Sequence, residues 1–161
     1  MRIPILAAAA LAAILPATAP AADPPRKTPY LASIQATRAR MRTGPARTYP
    51  ASWLYQRSGL PVRVVAVFKQ WRKIEDPDGT QGWMQASLLS ATRTGIVKAA
   101  QPIAMRERPS ESGRLMWRAA PGVVGRVSAC ADGWCRFDVK GQAAYVEIAG
   151  LWGVEAGEVL P

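Results

Sequence analysis

Histidine is absent from this chain, and both acidic residues and cysteines are few. Without histidine the chain can form neither a Ser-His-Asp nor a Cys-His catalytic site, and no histidine-based metal site. The region from Pro24 to Ile74 holds eleven basic residues and no acidic one. The formal net charge is +10, and a surface of one sign attracts polyanions. The sequence therefore predicts a binding protein rather than an enzyme, with no metal and no cofactor.

Long apolar runs are absent after the N-terminus. Arg2 is followed by the apolar run Ile3 to Leu15 and by the small residues Ala19-Pro20-Ala21, which is typical of a signal peptide cleaved near residue 21. The run is shorter than the roughly 20 residues that span a bilayer. We expect a periplasmic or secreted protein without a stable membrane span, an uncleaved anchor or a buried helix being the alternatives. Residues 22–32 then form a Pro-rich leader.

Export narrows the possible polyanions. Nucleic acid is disfavoured, because an exported protein rarely meets it and no recognition motif is visible. Cell-wall glycopeptides and lipid head groups are the polyanions that an envelope offers. A generally basic protein without such a ligand is the plainer alternative.

Four landmarks recur at offsets of 62 to 64 residues, which indicates two copies of one structural unit. The pairs are Met41-Arg42 with Met105-Arg106, Tyr55-Gln56-Arg57 with Trp117-Arg118-Ala119, Trp71 to Ile74 with Trp134 to Phe137, and Gly82-Trp83-Met84 with Ala144-Tyr145-Val146. Units of about 60 residues are marginally stable alone, so we expect the copies to contact each other.

Neither copy shows a helical period, and both show short β-rich runs between Gly, Pro and Asp turns. In copy one the strand predictions are 34–36, 39–42, 61–68, 72–75, 81–84 and a closing strand 94–97, with a helical turn at 86–89. In copy two they are 103–106, 123–129, 136–139 and 143–147. Alternation predicts that Val62, Val64, Ala66 and Phe68 share one face. We expect domains at 33–97 and 98–153, and a tail at 154–161.

The order of motifs in copy one resembles the bacterial SH3 family, whose members are small β-barrels of cell-envelope proteins. Arg42-Thr43-Gly44-Pro45, the hairpin turn at 75–79, and Gly82-Trp83-Met84 carry the resemblance. It implies two tandem SH3-like barrels and a ligand groove beside the Arg42–Pro45 loop. Such modules often accompany Cys-His peptidases, for which this chain has no histidine. Copy two departs from the pattern, with Glu107-Arg108-Pro109 lacking the glycine.

Two clusters of chemically versatile residues have a structural explanation. Glu75, Asp76 and Asp78 could pair as acid and base, but their spacing is that of a turn with Pro77 and Gly79. Their calcium-loop-like spacing ends on a serine rather than a glutamate. Cys130 and Cys135 flank a tight turn, and in an exported protein we expect a disulfide, with a redox pair or a metal site as alternatives.

The candidate binding surface combines guanidinium groups with aromatic rings. Arg38, Arg40 and Arg42 alternate with inward residues, so they should line one outer face about 7 Å apart. Arginine pairs with carboxylates bidentately and aromatic rings stack on ring-shaped ligands. The predicted ligand-binding residues are Arg40, Arg42, Arg47, Tyr49, Trp53, Arg57 and Trp71. Trp83 is expected mostly in the core.

Two ligands fit this surface, and a third account needs none. The first is an anionic cell-envelope ligand such as peptidoglycan. The second is an extended peptide of an envelope protein, which would make the chain an adaptor. A basic edge strand that only prevents aggregation is the alternative to both. The sequence predicts no oligomeric state.

Overall fold

The computed structural model describes residues 26–161, which form two antiparallel sheets of seven strands, each curled around its own core. The predicted signal peptide, 1–21, and the start of the leader lie outside the described residues. Within the described part of the chain the helical elements are two single 3-10 turns, Ala86–Leu88 and Ile148–Gly150. The all-β prediction of two tandem barrels is confirmed.

The first sheet has the strand order β3-β2-β6-β5-β4-β1-β7. Its strands are β1 Tyr30–Ile34, β2 Ala39–Arg42, β3 Ala51–Tyr55, β4 Pro61–Phe68, β5 Trp71–Glu75, β6 Gln81–Gln85 and β7 Leu89–Ser90. Every pairing is antiparallel, so short turns suffice to connect most neighbours. Ala32, Ile34, Ala39, Met41, Tyr55, Val62, Val64, Ile74 and Met84 form its core.

The second sheet repeats this order as β10-β9-β13-β12-β11-β8-β14. Its strands are β8 Thr94–Val97, β9 Ile103–Arg106, β10 Leu115–Ala119, β11 Val124–Ala131, β12 Trp134–Val139, β13 Gln142–Glu147 and β14 Leu151–Trp152. Val97, Met105, Ala119, Val127, Cys130, Cys135, Phe137, Ala144, Val146, Ile148 and Leu151 form its core. The identical strand order shows that the sequence repeat is a structural repeat.

Three of the four pairs of repeat landmarks occupy equivalent positions in the two sheets. The pair of Tyr55 with Trp117 does not, because it is shifted by two residues. Met41 faces Trp53 across β2 and β3, and Met105 faces Trp117 across β9 and β10. Trp117 is therefore the counterpart of Trp53, and Ala119 is the counterpart of Tyr55. The sequence comparison matched the aromatic residues by type, whereas strand register aligns them by partner.

Several strand predictions were wrong. β1 starts at Tyr30, inside the predicted leader, and the predicted strand 34–36 overlaps only its last residue. The strands β3, β7, β10 and β14 were not predicted. The predicted closing strand of copy one, 94–97, is β8, which pairs with β11 and β14 of the second sheet. The change of sheet therefore falls between Ser90 and Thr94, because β8 opens copy two as β1 opens copy one.

A bulge divides the central strand of copy one. Val62 and Val64 are fully buried, as expected, but the register with β5 shifts between Val64 and Ala66. Beyond the shift the strand turns its apolar side chains outward, and Phe68 is 48% exposed. The prediction of one continuous apolar face was therefore wrong, because an extra residue at a bulge changes which face the following side chains occupy.

The two barrels contact each other, as the small size of each unit led us to expect. Arg57 donates from Nη1 to the carbonyl of Gly122 at 2.9 Å. Arg63 donates to Glu155 of the tail at 3.0 Å, and its guanidinium carbon lies 5.8 Å from the Trp152 ring centroid. The tail is itself tied to β11, since Leu160 donates its N–H to the carbonyl of Cys130.

Candidate functional site

An open groove of about 290 Å3 lies on the outer face of the first sheet. We call it the arginine groove, and it is lined by Arg38, Arg40, Arg42, Arg47, Trp71, Gln85 and Leu88. No acidic residue lines it. Three of the predicted arginines and one predicted aromatic residue are thus brought together, along with the alternating Arg38.

Strand register explains why these side chains converge. Trp71 of β5 lies opposite Gln85 of β6. Arg42 of β2 lies opposite Trp83 of β6, so two residues further along the ladder Arg40 falls beside Gln85. Residues directly opposite each other share a face, so Arg40, Gln85 and Trp71 form one row across three strands. Met41, Ile74 and Met84 alternate with them and point into the core.

Trp71 forms the floor of the arginine groove. Its side chain is only 6% exposed, yet it does not belong to the core cluster inside the barrel. It lies on the outer face, beneath the arginines and Leu88. The ring is therefore positioned to support the groove more than to offer a broad stacking surface.

The loop from Thr43 to Pro50 forms one wall, and Arg42 holds it in place. Arg42 donates from Nη1 to the carbonyl of Tyr49 at 2.7 Å. The Tyr49 ring lies against Gly44, where a Cβ atom would come within 2.5 Å of it. Tyr49 is 46% exposed and does not line the groove. The glycine of the Arg42–Pro45 motif thus has a steric reason, which is the close approach of this ring.

Besides Tyr49, two more of the predicted binding residues, Trp53 and Arg57, do not line the groove. Trp53 is opposite Met41, so it lies on the face opposite to Arg40, near Tyr55 at a ring-centroid distance of 6.5 Å. Its side chain is 58% exposed. Arg57 lies at the junction between the barrels. Strand alternation places Trp53 on the other face of the sheet, and the turn before β4 places Arg57 away from the groove.

The expected core position of Trp83 was wrong. It lies opposite Arg42 on one side and Lys73 on the other, on the outer face, and it is only partly buried. Copy two repeats this row, since Tyr145 lies between Arg106 and Arg136. An aromatic residue between two basic residues is thus a feature of both outer faces.

The arginines of the groove differ in how they are partnered. Arg42 is committed to the loop carbonyl. Within residues 26–161, Arg38, Arg40 and Arg47 form no ion pair and no side-chain hydrogen bond. Three guanidinium groups with free donors therefore face one groove. Such groups bind carboxylate or phosphate ligands by donating paired hydrogen bonds to their oxygens.

The equivalent groove of copy two has different chemistry. It is lined by Ile103, Ala104, Glu147, Ala149 and Gly150. Ala104 stands where copy one has Arg40, and Glu147 stands where it has Gln85. Arg106 is retained and donates to the carbonyl of Gly113 at 2.8 Å, as Arg42 does to Tyr49. The loop contact is therefore common to both copies, while only the groove of copy one is lined by unpaired arginines.

Sequence reasoning missed Gln85 and Leu88. Both follow Gly82-Trp83-Met84, and alternation from Met84 would have placed Gln85 on the outer face. Leu88 belongs to the 3-10 turn and reaches the groove through the β1–β2 connection, where Gln35 donates its N–H to the Leu88 carbonyl. No local pattern indicates that contact, because the two residues are distant in sequence.

The acidic cluster at the β5–β6 turn is structural. The Asp76 carboxylate is buried and accepts hydrogen bonds from the N–H groups of Asp78 and Thr80 and from the hydroxyl of Tyr55. Burial, followed by the hydrogen bond to Asp76, raises the pKa of Tyr55 well above its usual range. Among residues 26–161 no group of three or more Asp, Glu, Cys or His residues could hold a metal ion.

Cys130 and Cys135 form a disulfide across the β11–β12 turn, as predicted. Both are fully buried in the second core. In the part of the chain that the structure describes, no helix is long and apolar enough to cross a membrane.

The described residues thus form a tandem pair of small β-barrels, the first of which carries the arginine groove on its outer face. The family model for the bacterial SH3 domain matches residues 35–91 and 99–153. The chain belongs to the bacterial SH3 domain family, which confirms the resemblance seen in the sequence.

Other comparisons add little beyond this. No curated protein matches the sequence. Two solved structures from Trichomonas vaginalis are similar to it. NlpC2 has 10% identity and a TM-score of 0.34, covering 80% of this chain and 49% of its own. NlpC1 has 10% identity and a TM-score of 0.35, covering 78% and 46%. The chain spans about half the length of these proteins, and likeness at this level does not extend to function.

Proposed function

We propose that this protein is a non-catalytic binding module whose arginine groove holds an anionic cell-envelope ligand such as peptidoglycan. One observation carries the proposal: Arg38, Arg40 and Arg47 converge on a groove that no acidic residue lines, and none of them has a partner among residues 26–161. Left without an anion, three like charges in one groove repel each other, which an anionic ligand would relieve.

The predicted export supports the choice of ligand. The predicted signal peptide and the disulfide fit an oxidising compartment outside the cytoplasm. We therefore propose that the protein acts in the periplasm or outside the cell, where cell-wall glycopeptides carry carboxylates on a sugar and peptide frame.

Co-sedimentation with purified peptidoglycan tests the proposal. Replacing Arg38, Arg40 and Arg47 by serine should abolish sedimentation, and binding of the unaltered protein should fall steeply between low and physiological salt.

The matched control replaces three exposed residues of copy two by serine, namely Arg108, Arg118 and Arg136. Both triple variants carry the same net charge, so only a specific groove separates them. The proposal fails if the unaltered protein stays in the supernatant at low salt, or if the control loses as much binding.

An adaptor that binds an extended peptide is a second candidate, and β3 favours it. This strand ends the first sheet, pairs only with β2 among the described strands, and exposes Trp53 beside its open edge. An open edge with an aromatic anchor can accept a peptide as an added strand. If cell wall is not bound, crosslinking from position 53 in the periplasm would identify such a partner.

A further inference from the structure

A second polar cleft, of about 530 Å3, lies between the two barrels. Its charged side chains are Arg57 from the first barrel and Arg126, Asp138 and Lys140 from the second. Three cations therefore face one carboxylate. Ser58 and Thr94 add hydroxyl groups to the lining. Both barrels contribute, so the cleft exists only in the tandem arrangement.

Two polar groups at this cleft have no partner among the residues that the structure describes. Thr94 is only 8% exposed, and its hydroxyl forms no hydrogen bond with any described residue. Buried hydroxyls are nearly always hydrogen-bonded, because leaving one unpaired is costly. Arg126 forms no ion pair and no side-chain hydrogen bond within residues 26–161, although Asp138 lies opposite it in the ladder. Asp138 instead accepts the N–H of Gly141 at 2.7 Å.

The counterpart of this row in copy one shows what such a position can hold. Thr94, Arg126 and Asp138 form a row across β8, β11 and β12. In copy one the row is Leu31, Arg63 and Glu75. There Arg63 is covered by the chain's own tail, with the Glu155 carboxylate at 3.0 Å and the Trp152 ring beside it. Leu160 and Pro161 of the tail line a shallow pocket beside Arg126, but no described carboxylate forms an ion pair with it.

We propose that the cleft between the barrels is a carboxylate-binding site for a carboxylated glycan, in which Arg126 takes the role toward the ligand that Arg63 takes toward Glu155. Arg57 and Lys140 flank the carboxylate, and the hydroxyls of Ser58 and Thr94 serve the hydroxyls of the sugar. The choice of a glycan rests on the proposed function, but the site does not share a side chain with the arginine groove.

A glycan fits the cleft better than an extended peptide does. An added peptide strand needs an open sheet edge. At the cleft, β11 is paired on both sides, with β8 and with β12. The cleft also lies next to the arginine groove, because Thr37 lines the one and Arg38 lines the other. A single polymer could therefore extend from the groove into the cleft.

Calorimetric titration with oligogalacturonides of defined length tests the site. The variant Arg126→Gln should bind about tenfold more weakly, since one charge-assisted bidentate contact is lost. Arg136→Gln is the matched control, because Arg136 is also exposed on the second sheet but does not line the cleft. Fully methyl-esterified oligomers should not bind. Unchanged affinity of Arg126→Gln, or an equal loss in Arg136→Gln, would overturn the proposal.

A second variant separates binding from folding. Thr94→Val keeps the volume of the side chain and removes only the unpartnered hydroxyl. It should melt at the same temperature as the unaltered protein or higher, and bind the oligomer severalfold more weakly. A lower melting temperature would show that the hydroxyl has a structural role and would contradict its place in the site.

The two proposals can fail separately. If the serine variant of Arg38, Arg40 and Arg47 loses the oligomer while Arg126→Gln binds it normally, the arginine groove stands and the cleft is refuted. If Arg126→Gln loses a short oligomer that the groove variant still binds, the cleft stands alone. A gain in affinity with oligomer length that either variant abolishes would support one ligand crossing both sites.

Discussion

The hydroxyl of Tyr55 donates a 2.8 Å hydrogen bond to the carboxylate of Asp76, and both residues are more than nine-tenths buried. This contact joins the end of β3 to the turn between β5 and β6. The other Asp76 oxygen accepts the N–H groups of Asp78 and Thr80, so the carboxylate organises the turn from within. A buried charge is tolerated here because its oxygens are satisfied by three donors.

Replacing Tyr55 by phenylalanine should destabilise the first barrel by about 1–3 kcal/mol, since it leaves a buried carboxylate oxygen without its donor. Urea unfolding monitored by tryptophan fluorescence measures the loss. Tyr49→Phe is the control, because that hydroxyl forms no hydrogen bond among residues 26–161 and its ring is 46% exposed. Equal stability of the two variants would contradict a role for the Tyr55 hydroxyl.

The same contact predicts a loss of stability at high pH. Burial and the Asp76 bond raise the pKa of Tyr55 in the folded state, whereas the unfolded chain keeps a value of about 10. The stabilisation is therefore complete below about pH 10 and is lost as the pH rises through the folded pKa. Stability measured across this range should fall more steeply for the unaltered protein than for Tyr55→Phe. Parallel curves would contradict the prediction.

Much of the fold could be predicted because its strongest signals are local. The turns at Asp76–Gly79 and Asp132-Gly133, and the buried runs beside them, indicate their hairpins directly. Strand β3 carries no such signal, since its first three residues are exposed and none of them alternates with a buried neighbour. Thr94–Val97 is buried throughout, and a short buried run does not indicate which of two sheets it joins.

The part of the candidate site that lies on a single strand could be predicted, because side chains alternate between the two faces of a strand. Arg38, Arg40 and Arg42 could be placed on one face because they share a strand and its approach. Trp53 and Arg57 could not be placed, because their positions depend on register with β2 and on the contact between barrels. The cleft at Arg126 was invisible to the sequence, since its two walls come from different copies.

Reduction of the disulfide should destabilise the second barrel selectively. Cys130 and Cys135 close a loop only five positions apart, for which loss of chain entropy accounts for about 2 kcal/mol. Hydrogen exchange with and without reductant should show faster exchange in β11 and β12, with little change in β4 and β5. Two free thiols titrated in unfolded, non-reduced protein from the periplasm would contradict the bond.

The C-terminal tail should detach in acid. Arg93 donates to Glu158, and this hydrogen bond lowers the pKa of the Glu158 carboxyl. The contribution to stability is present above the unfolded pKa of about 4.5 and is lost as the pH falls through the lower folded value. The protection factor of the Leu160 amide, which is bonded to Cys130, should fall over that range relative to the intrinsic exchange rate at each pH.

The variant Glu158→Gln should show this loss of protection at the Leu160 amide already at neutral pH. Its control is Glu111→Gln, because Glu111 forms no ion pair within residues 26–161. If the Leu160 amide stays protected in Glu158→Gln, other contacts hold the tail, such as those of Leu160 with the second core.

Arg42 and Arg40 should differ in what their loss does, although they lie two residues apart on one face. Arg42 holds the Tyr49 carbonyl, so Arg42→Ser should cost about 0.5–1 kcal/mol of stability as well as weakening the groove. Arg40 has no partner in the described chain, so Arg40→Ser should weaken peptidoglycan binding and leave the melting temperature unchanged.

Arg106→Ser provides the matched control, because Arg106 makes the equivalent bond to Gly113 in copy two. It should lower stability as Arg42→Ser does and leave binding intact. If Arg106→Ser impairs binding as strongly as Arg40→Ser, the ligand is not confined to the groove of copy one.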